Sequence, residues 1–580
     1  MSRRQQPVRT DIRSRETGGV RKKWKNKLPI ALVFPNRYRL GMSNLGFQLV
    51  YEQLNNDPDI VCERVFLPEN DAEQPLSVES GRPLRDFPLI FCSLSFEDDY
   101  PNLLRMLVWG GISPLAEARG RESATVLPGA PVIVAGGVAT FINPEPLATF
   151  VDLFVLGEAE VALPPVLALL KKKVVAGEGR HDLLHGLAAG VPGCYVPSLY
   201  APMYDQDGTF VSFQVAAGIP ARIVKLSVPS RQTAGHSVLL SPDAEFSDLY
   251  LAELGRGCSR GCRFCAAGFV YRPPRLWSAD AIVRALAERP KEVSRIGLLG
   301  MEMARVDDLA VLAEYLLDEA CSLSFSSLRA DVINTRLVEL LGKSSLKSAA
   351  IAPDGGSERL RRVINKGITE PELLTAATAL AEVGVTNLKL YYMIGLPTET
   401  EADLDEMVEL TLRIREQVME VGRRKGYLGT LTLSINCFVP KPWTPFQFYA
   451  FTPVSVLKNR LQYLRKKLGR EANIRIVADH PDRALFQASL ARGDRRLGPA
   501  LLDFAENGGN WRQIMKRQGL PVDEYALRER GQDEALPWEV VDHGIDRRYL
   551  WREYQKSLSA KLTEPCDTSR CKRCGVCDGN

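Results

Sequence analysis

Cys258, Cys262 and Cys265 stand in the run Gly257-Cys-Ser-Arg-Gly-Cys-Arg-Phe-Cys-Ala-Ala-Gly268, just after the strand-like stretch 249–254. Three thiolates on one short loop can each hold one iron of a four-iron, four-sulfur cluster, whereas a complete protein-bound cluster takes four cysteines. The fourth iron is then open for substrate chemistry. A structural zinc loop is the competing reading, but zinc normally closes its shell with four ligands. Only His236 adds a Cys or His within fifty residues on either side.

A second set, Cys566, Cys571, Cys574 and Cys577, places four thiolates in twelve residues. Zinc and an iron–sulfur cluster both accept four sulfurs, so ligand count leaves the metal of this second centre open. The core of the set is similar to a ferredoxin loop without its following proline. A zinc knuckle beside Arg570, Lys572 and Arg573 would also suit an RNA contact. Cys62, Cys92, Cys194, Cys321 and Cys437 are dispersed and read as small buried hydrophobes.

The 580 residues, 45% hydrophobic and 25% charged, belong to the globular class and have room for several domains. No apolar run approaches the ~20 residues that span a bilayer, and the first thirty residues lack a secretory core. A cytoplasmic protein without a membrane contact is expected. Net charge is +4, yet residues 1–30 carry ten Lys/Arg against Asp11 and Glu16. Such a block reads as a solvated disordered tail or as a phosphate contact.

The elements that position the cysteines follow from hydrophobic period. After a basic disordered tail (1–28), residues 29–190 alternate short β-rich runs at 30–34, 60–66, 89–94, 132–135 and 153–156 with helical stretches, an α/β doubly wound parallel sheet with ligands at its strand C-termini. Residues 191–240, rich in proline, predict a β-rich connector. Residues 241–450 repeat the alternation with six strands, a partial (β/α)6 barrel whose chemistry sits at strand C-termini. Residues 451–561 predict a mainly helical region, and 562–580 the cysteine-rich tail.

The CxxxCxxC spacing, its glycines and Phe264 resemble the radical S-adenosylmethionine (SAM) superfamily. In that family S-adenosylmethionine chelates the open iron, and one electron from the cluster cleaves it to a deoxyadenosyl radical. Further runs resemble the family in order and spacing. Tyr391-Tyr-Met-Ile-Gly-Leu-Pro-Thr-Glu399 is similar to its fifth-strand adenine site, which implies Ile394 and Gly395. Asp354-Gly-Gly-Ser357 resembles the stretch that carries a cofactor-binding serine, and Ser327-Leu-Arg329 the third-strand end. Leu299-Gly-Met-Glu-Met303 departs from the family's Gly-Gly-Glu, leaving Gly300 and Glu302 as the counterparts for the cofactor's amino group. No catalytic residue is assigned.

Residues 135–160 closely resemble the cobalamin-binding domain fused before many radical SAM barrels. The resemblance points to Gly136, Gly137, Gly157 and Glu158, with glycines making room for a corrin at strand ends. Histidine-ligating cobalamin domains carry Asp-x-His-x-x-Gly after the first strand. Here the loop reads Asn36-Arg-Tyr-Arg-Leu-Gly41, with Tyr38 in the histidine's place. The reading is thus a cobalamin without a histidine from this loop, or an inherited fold without the cofactor. Lys441, in the proline-rich run after the sixth barrel strand, reads as bordering the substrate mouth or as closing the barrel. The resemblance implies an enzyme with a four-iron, four-sulfur cluster, S-adenosylmethionine, cobalamin and an electron donor such as a flavodoxin or ferredoxin. Methyl transfer is the leading reaction. The alternatives are methylthiotransferase-like sulfur insertion into RNA or protein, and an RNA-binding protein with a structural cluster.

Overall fold

The structure, a computed structural model, describes residues 9–577 except 230–232, 301–305, 320, 326 and 345. Its N-terminal sheet contains β1 (Leu28–Phe34), β2 (Ile60–Phe66), β3 (Leu89–Ser93), β4 (Val132–Gly136), β5 (Leu153–Val155) and β6 (Cys194–Tyr195). They lie in the order β2-β1-β3-β4-β5-β6, all parallel except the edge pair β5/β6. Strands buried on both faces need continuous apolar runs. Leu-Pro-Ile-Ala-Leu-Val-Phe in β1 supplies one, covered by separate apolar clusters on its two sides. The chain reverses direction across the sheet between β1 and β3, which opens a crevice beyond their C-terminal ends. β6 corrects the expected boundary, since residues 194–195 complete this sheet and do not belong to the connector.

The connector holds a hairpin, Tyr200–Tyr204 with Phe210–Val215. Ile223–Val224 then pairs with Val541–Asp542 from the far end of the chain. The barrel strands are Tyr250–Glu253, Arg295–Leu299, Ser322–Phe325, Ser348–Asp354, Asn387–Ile394 and Thr430–Cys437. A seventh, Ile474–Ala478, pairs with the sixth and adds one strand within the stretch read as mainly helical. The strands form a three-stranded and a four-stranded parallel sheet, joined at the isolated bridge Leu328↔Ile351. In the fifth strand Leu388, Leu390, Tyr392 and Ile394 are buried against the outer helix Glu401–Lys425, whereas Lys389, Tyr391 and Met393 are half-buried on the inner face. Period-two alternation thus leaves a polar, partly open barrel interior.

The expected disordered tail is a second correction. Residues 9–14 form a helix and the following segment straps onto the N-terminal domain. Glu16 accepts from Arg64 Nη1 and Nη2 at 2.8 and 2.7 Å, in a pair almost wholly removed from water. Lys22 Nζ donates to the carbonyls of Asn55, Asp57 and Ile60, and so caps a helix C-terminus where cations are favoured. Trp24 Nε1 donates to Glu63 at 2.7 Å. Charge alone reads as solvated, but here these basic residues have specific acceptors. Residues 1–8 lie outside the described part.

Candidate active site

The loop bearing Cys258, Cys262 and Cys265 leaves the C-terminal end of the first barrel strand. Gly257 and Gly261 turn it, with φ of +83° and +69°, and a Cβ on Gly257 would lie 2.7 Å from the Tyr271 carbonyl oxygen. The loop is fastened from behind by a segment beyond the fourth strand. Asn365 Nδ2 donates to the carbonyls of Arg260 and Gly261, both at 3.2 Å, and the Arg263 amide donates to the Ile364 carbonyl at 2.9 Å. Arg263, fully buried, donates to the Val363 carbonyl and is paired with Glu553. The stretch chosen from sequence for its serine therefore contributes the clamp of the cysteine loop.

Burial, with the neighbouring Cys262, pushes the Cys265 thiol up to about 11. Cations stand close by: Arg329 Nη1 is 4.0 Å from Cys262 Sγ, and Lys366 lies within reach of both thiols' charge. Three thiols with cations beside them fit a thiolate-held iron–sulfur cluster, whose own charge would draw the protons off. Among the described residues no three His, Cys, Asp or Glu side chains are grouped as the ligands of a metal ion.

A cavity of about 500 Å³ lies between the C-terminal ends of the N-terminal strands and the mouth of the barrel, within the size range of small-molecule sites. On the sheet side Asn44 and Ser95 come from the β1/β3 crevice; on the barrel side Arg256 and Gly300 follow the first and second strands. Asn44 caps the helix Leu45–Asn56 by accepting from the Phe47 amide at 2.9 Å, and its amide donates to Ser95 Oγ at 3.1 Å. The walls are mainly apolar and contain no histidine. Such a lining is suited to the face of a large flat ligand such as a corrin, and it offers no imidazole to a cobalt.

The residues named from sequence take different places. Gly136, Gly137, Gly157, Glu158 and Gly300 line the cavity. A Cβ on Gly137 would lie 2.4 Å from the Leu94 carbonyl oxygen and one on Gly157 2.6 Å from that of Leu226; on Gly136 the nearest atom is 3.6 Å away. Close approach of the chain to itself thus explains two of the three glycines. Glu158 is a junction residue. Burial pushes its carboxyl up, but Arg275 and Arg256 prevail and hold it below the ordinary carboxylate range. Arg275 and Arg256 donate to it at 2.9 and 3.0 Å from their Nη1 atoms, and the Val228 amide donates at 3.0 Å. It joins the sheet, the connector and the barrel.

Tyr38 does not line the cavity. Its hydroxyl lies 2.5 Å from Glu16 Oε1 and 2.8 Å from Ser241 Oγ, and its ring packs on Phe66. The side chain in the histidine's sequence position is therefore turned into the strap. Ser357 is a buried helix cap, accepting from the Leu360 amide at 3.0 Å and donating to Asp403 at 2.5 Å. Ile394 is buried against the outer helix, while the amide of Gly395 donates to Glu399 and its carbonyl accepts from Thr452 Oγ1. Arg329 is paired with Asp331 and donates to the Lys366 carbonyl. Glu302 lies outside the described residues. Lys441 Nζ pairs with Glu97 at 2.6 Å, tying the barrel exit to the N-terminal domain. Glu253, Arg256, Arg275 and Asn365 were missed; of these only Arg256, two residues before Cys258, carried a positional signal.

With this geometry in view, two family comparisons are decisive. Residues 46–197 match "Radical SAM proteins, N-terminal" and residues 252–411 match the "Radical SAM superfamily". The chain belongs to the radical SAM superfamily. This radical SAM enzyme is 28% identical over 504 residues to an uncharacterized protein of Methanocaldococcus jannaschii, covering 86% of this chain and 96% of the relative. It is 23% identical over 273 residues to tRNA-2-methylthio-N(6)-dimethylallyladenosine synthase of Thermotoga petrophila, 42% of this chain and 60% of that one. Among solved structures it is similar to the radical S-adenosylmethionine methyltransferase TsrM from Kitasatospora setae (TM-score 0.43, 12% identity, 92% and 98% of the two chains). It is similar also to the cobalamin-dependent S-adenosylmethionine radical enzyme OxsB (TM-score 0.44, 13% identity, 92% and 80%). No described helix is long and apolar enough to cross a membrane.

Proposed function

We propose that this radical SAM enzyme carries out cobalamin-dependent methyl transfer to an unactivated carbon in the cavity between the N-terminal sheet and the barrel mouth. The observation that carries the reading is the continuity of that cavity, which reaches from the β1/β3 crevice to Gly300 at the end of the second barrel strand. When bound, the cluster of Cys258, Cys262 and Cys265 supplies the electron that cleaves S-adenosylmethionine, and a cobalamin supplies a methyl group; such chemistry is the cofactors' own. The chain positions and shields the reaction. Asn365 and Arg263 hold the cysteine loop, and Glu158, Arg256 and Arg275 hold the two halves of the cavity together. Its apolar walls exclude water from a radical. The half-buried face of Lys389, Tyr391 and Met393 gives the cofactor's polar parts a surface inside the barrel.

Product counting tests the reaction. A cobalamin methylase consumes one S-adenosylmethionine to restore the methyl donor and another to make the radical, so S-adenosylhomocysteine and deoxyadenosine are expected together with the true substrate. Deoxyadenosine alone, with cobalamin present, refutes methyl transfer. Binding of hydroxocobalamin in dialysis at tens of micromolar, about −6 kcal/mol, without histidine hyperfine coupling in the reduced state, tests the cofactor separately.

Sulfur insertion into RNA or protein is the second reading, favoured by the similarity to a tRNA methylthio synthase over 273 residues. It requires the C-terminal cysteines to hold iron rather than zinc and predicts that the sulfide of that cluster is transferred to the product. RNA binding without any cleavage of S-adenosylmethionine, weakening with salt, would instead support the non-enzymatic RNA-binding role.

A further inference from the structure

The connector crosses the C-terminal end of β5 at residues 224–226, and the backbone there is pinned on both sides. The Leu226 amide donates to the Leu156 carbonyl at 3.0 Å, and its carbonyl accepts from the Glu158 amide at 3.0 Å. The Lys225 amide donates to the Asp542 carbonyl at 2.8 Å. The side chain between these anchors is unusual. Lys225 is 7% exposed, and among the described residues no acceptor lies within hydrogen-bond distance of its Nζ. An amine taken out of water without an acceptor is costly, and an orphan of this kind in a native fold calls for a group that satisfies it.

The amine stands against a wall of the cavity. Nζ lies 5.6 Å from the ring centre of Tyr271 and 5.9 Å from that of Phe141, and both rings line the cavity together with Glu158. Ring faces attract a cation, but they give the three N–H bonds of an ammonium no oxygen acceptor. Burial lowers the amine's pKa to about 8, with Glu158 opposing the change and Arg275 and Arg256 adding to it. His543, from the C-terminal region, is held neutral, at about 3, by burial and by Lys225 itself, and its Nε2 donates to the Phe141 carbonyl at 2.7 Å. The other charged groups here are committed to one another. Arg256 donates to Glu158 and Glu253, and Arg275 donates to Glu158.

We infer that Lys225 recognises the occupant of the cavity: its ammonium donates a hydrogen bond to a carboxamide oxygen at the edge of a bound corrin, admitted between the rings of Phe141 and Tyr271. The inference rests on the cobalamin reading proposed above. A corrin has apolar faces but a rim of acetamide and propionamide side chains, and each amide brought into a dry cavity needs a partner. The mainly apolar walls serve the faces. The rim needs donors, and Lys225 offers one from a backbone fixed by β5 and by the pairing with Val541–Asp542. A lysine that only stabilises the fold is set against an oxygen, as Lys22 is against the Asp57 carbonyl and Lys441 against Glu97. Lys225 is buried without one. A group that weakens the unliganded fold and waits for an acceptor has the signature of a binding residue, because sites for ligands are where stability is traded for function.

Three measurements on the full-length protein test it. In equilibrium dialysis, methylcobalamin is expected to bind Lys225→Met at least about tenfold more weakly than the parent, or about 1.4 kcal/mol. Lys225→Gln, which keeps an N–H donor, is expected to recover part of the loss. Equal binding by the parent and Lys225→Met overturns the inference and leaves the cobalamin reading standing; no binding by the parent overturns both. Thermal melting of the unliganded proteins separates recognition from structure. Replacing an unpaired buried cation by an apolar side chain is expected to leave the protein as stable as the parent or more so. A lower melting temperature for Lys225→Met, or failure to fold, assigns the amine a structural role and overturns the inference. The third readout is pH. The unliganded amine is charged below about 8, and an oxygen acceptor favours the charged form, so the parent's affinity is expected to be greatest below that value and to fall as pH rises through it. In that range the arginines stay charged, Glu158 stays ionised and His543 stays neutral, and methylcobalamin does not titrate, so Lys225→Met is expected to show no slope. A flat profile in the parent, or a slope that the variant shares, overturns the assignment to Lys225.

Discussion

Removing Glu158 should loosen the junction that closes the cavity. Its side chain is 3% exposed and Arg275's is 5% exposed, so Glu158→Ala leaves a buried guanidinium with, among the described residues, the carbonyls of Val228 and Pro273 as acceptors. Arg256 is less affected because it keeps Glu253 and Glu160. Breaking one partner of a buried pair costs about 3–5 kcal/mol, most of it the uncompensated charge; the retained partners place this case near about 3 kcal/mol. A chain of this size does not unfold in two states, so the measurement is local. The Leu226 amide, which donates to the Leu156 carbonyl, and the Lys225 amide, which donates to that of Asp542, report the junction. Their hydrogen exchange should speed up roughly a hundredfold, since about 1.4 kcal/mol is a factor of ten. Arg275→Met added to Glu158→Ala should recover much of the loss. The effect also has a pH sign. Because the folded carboxyl is held below its ordinary range, the clamp is in force above the ordinary value of about 4.3 and is lost as pH falls through the lower folded one. Glu158→Gln should lack that acid limb. Exchange changed less than about fivefold by Glu158→Ala, the value for an exposed ion pair, would refute the clamp.

Gly137→Ala should cost at least about 2 kcal/mol, because φ is +106° and the new methyl meets the Leu94 carbonyl; thermal melting against Gly136→Ala, expected to be mild, checks it. Lys22→Met should destabilise the N-terminal domain by about 1–3 kcal/mol through the loss of its charged hydrogen bonds to three carbonyls, of which that of Asp57 keeps the Ile60 amide, read by exchange in residues 55–60; the effect of a solvated tail lysine would be near zero. Asn365→Ala should lower iron retention at the cysteine loop and free the tail to proteolysis at once, since one amide holds both; loss of either alone contradicts the shared clamp.

Local chemistry and period were legible in the sequence by itself. The CxxxCxxC loop after a strand, both α/β layers and nearly all strand positions follow from residue type, alternation and turn residues, because each of these signals acts within a few residues of its cause. Partnership was not legible. Glu158 read as a cofactor-lining residue, and nothing in its neighbourhood of sequence showed that Arg256 and Arg275, about a hundred residues away, bind its carboxylate. Tyr38 occupied a histidine's place in a loop but was turned aside by Glu16 and Ser241. The basic N-terminal segment read as solvated because composition does not record which carbonyls a lysine will cap. Ile474–Ala478 hid among helices because a strand on a sheet edge is stabilised by its neighbour, Thr430–Cys437. The meeting of the two cysteine segments, some three hundred residues apart, was likewise decided by tertiary structure. Asn365 and Arg263 satisfy their hydrogen-bonding groups only when the folded chain brings the carbonyls of Thr563 and Lys561 to them.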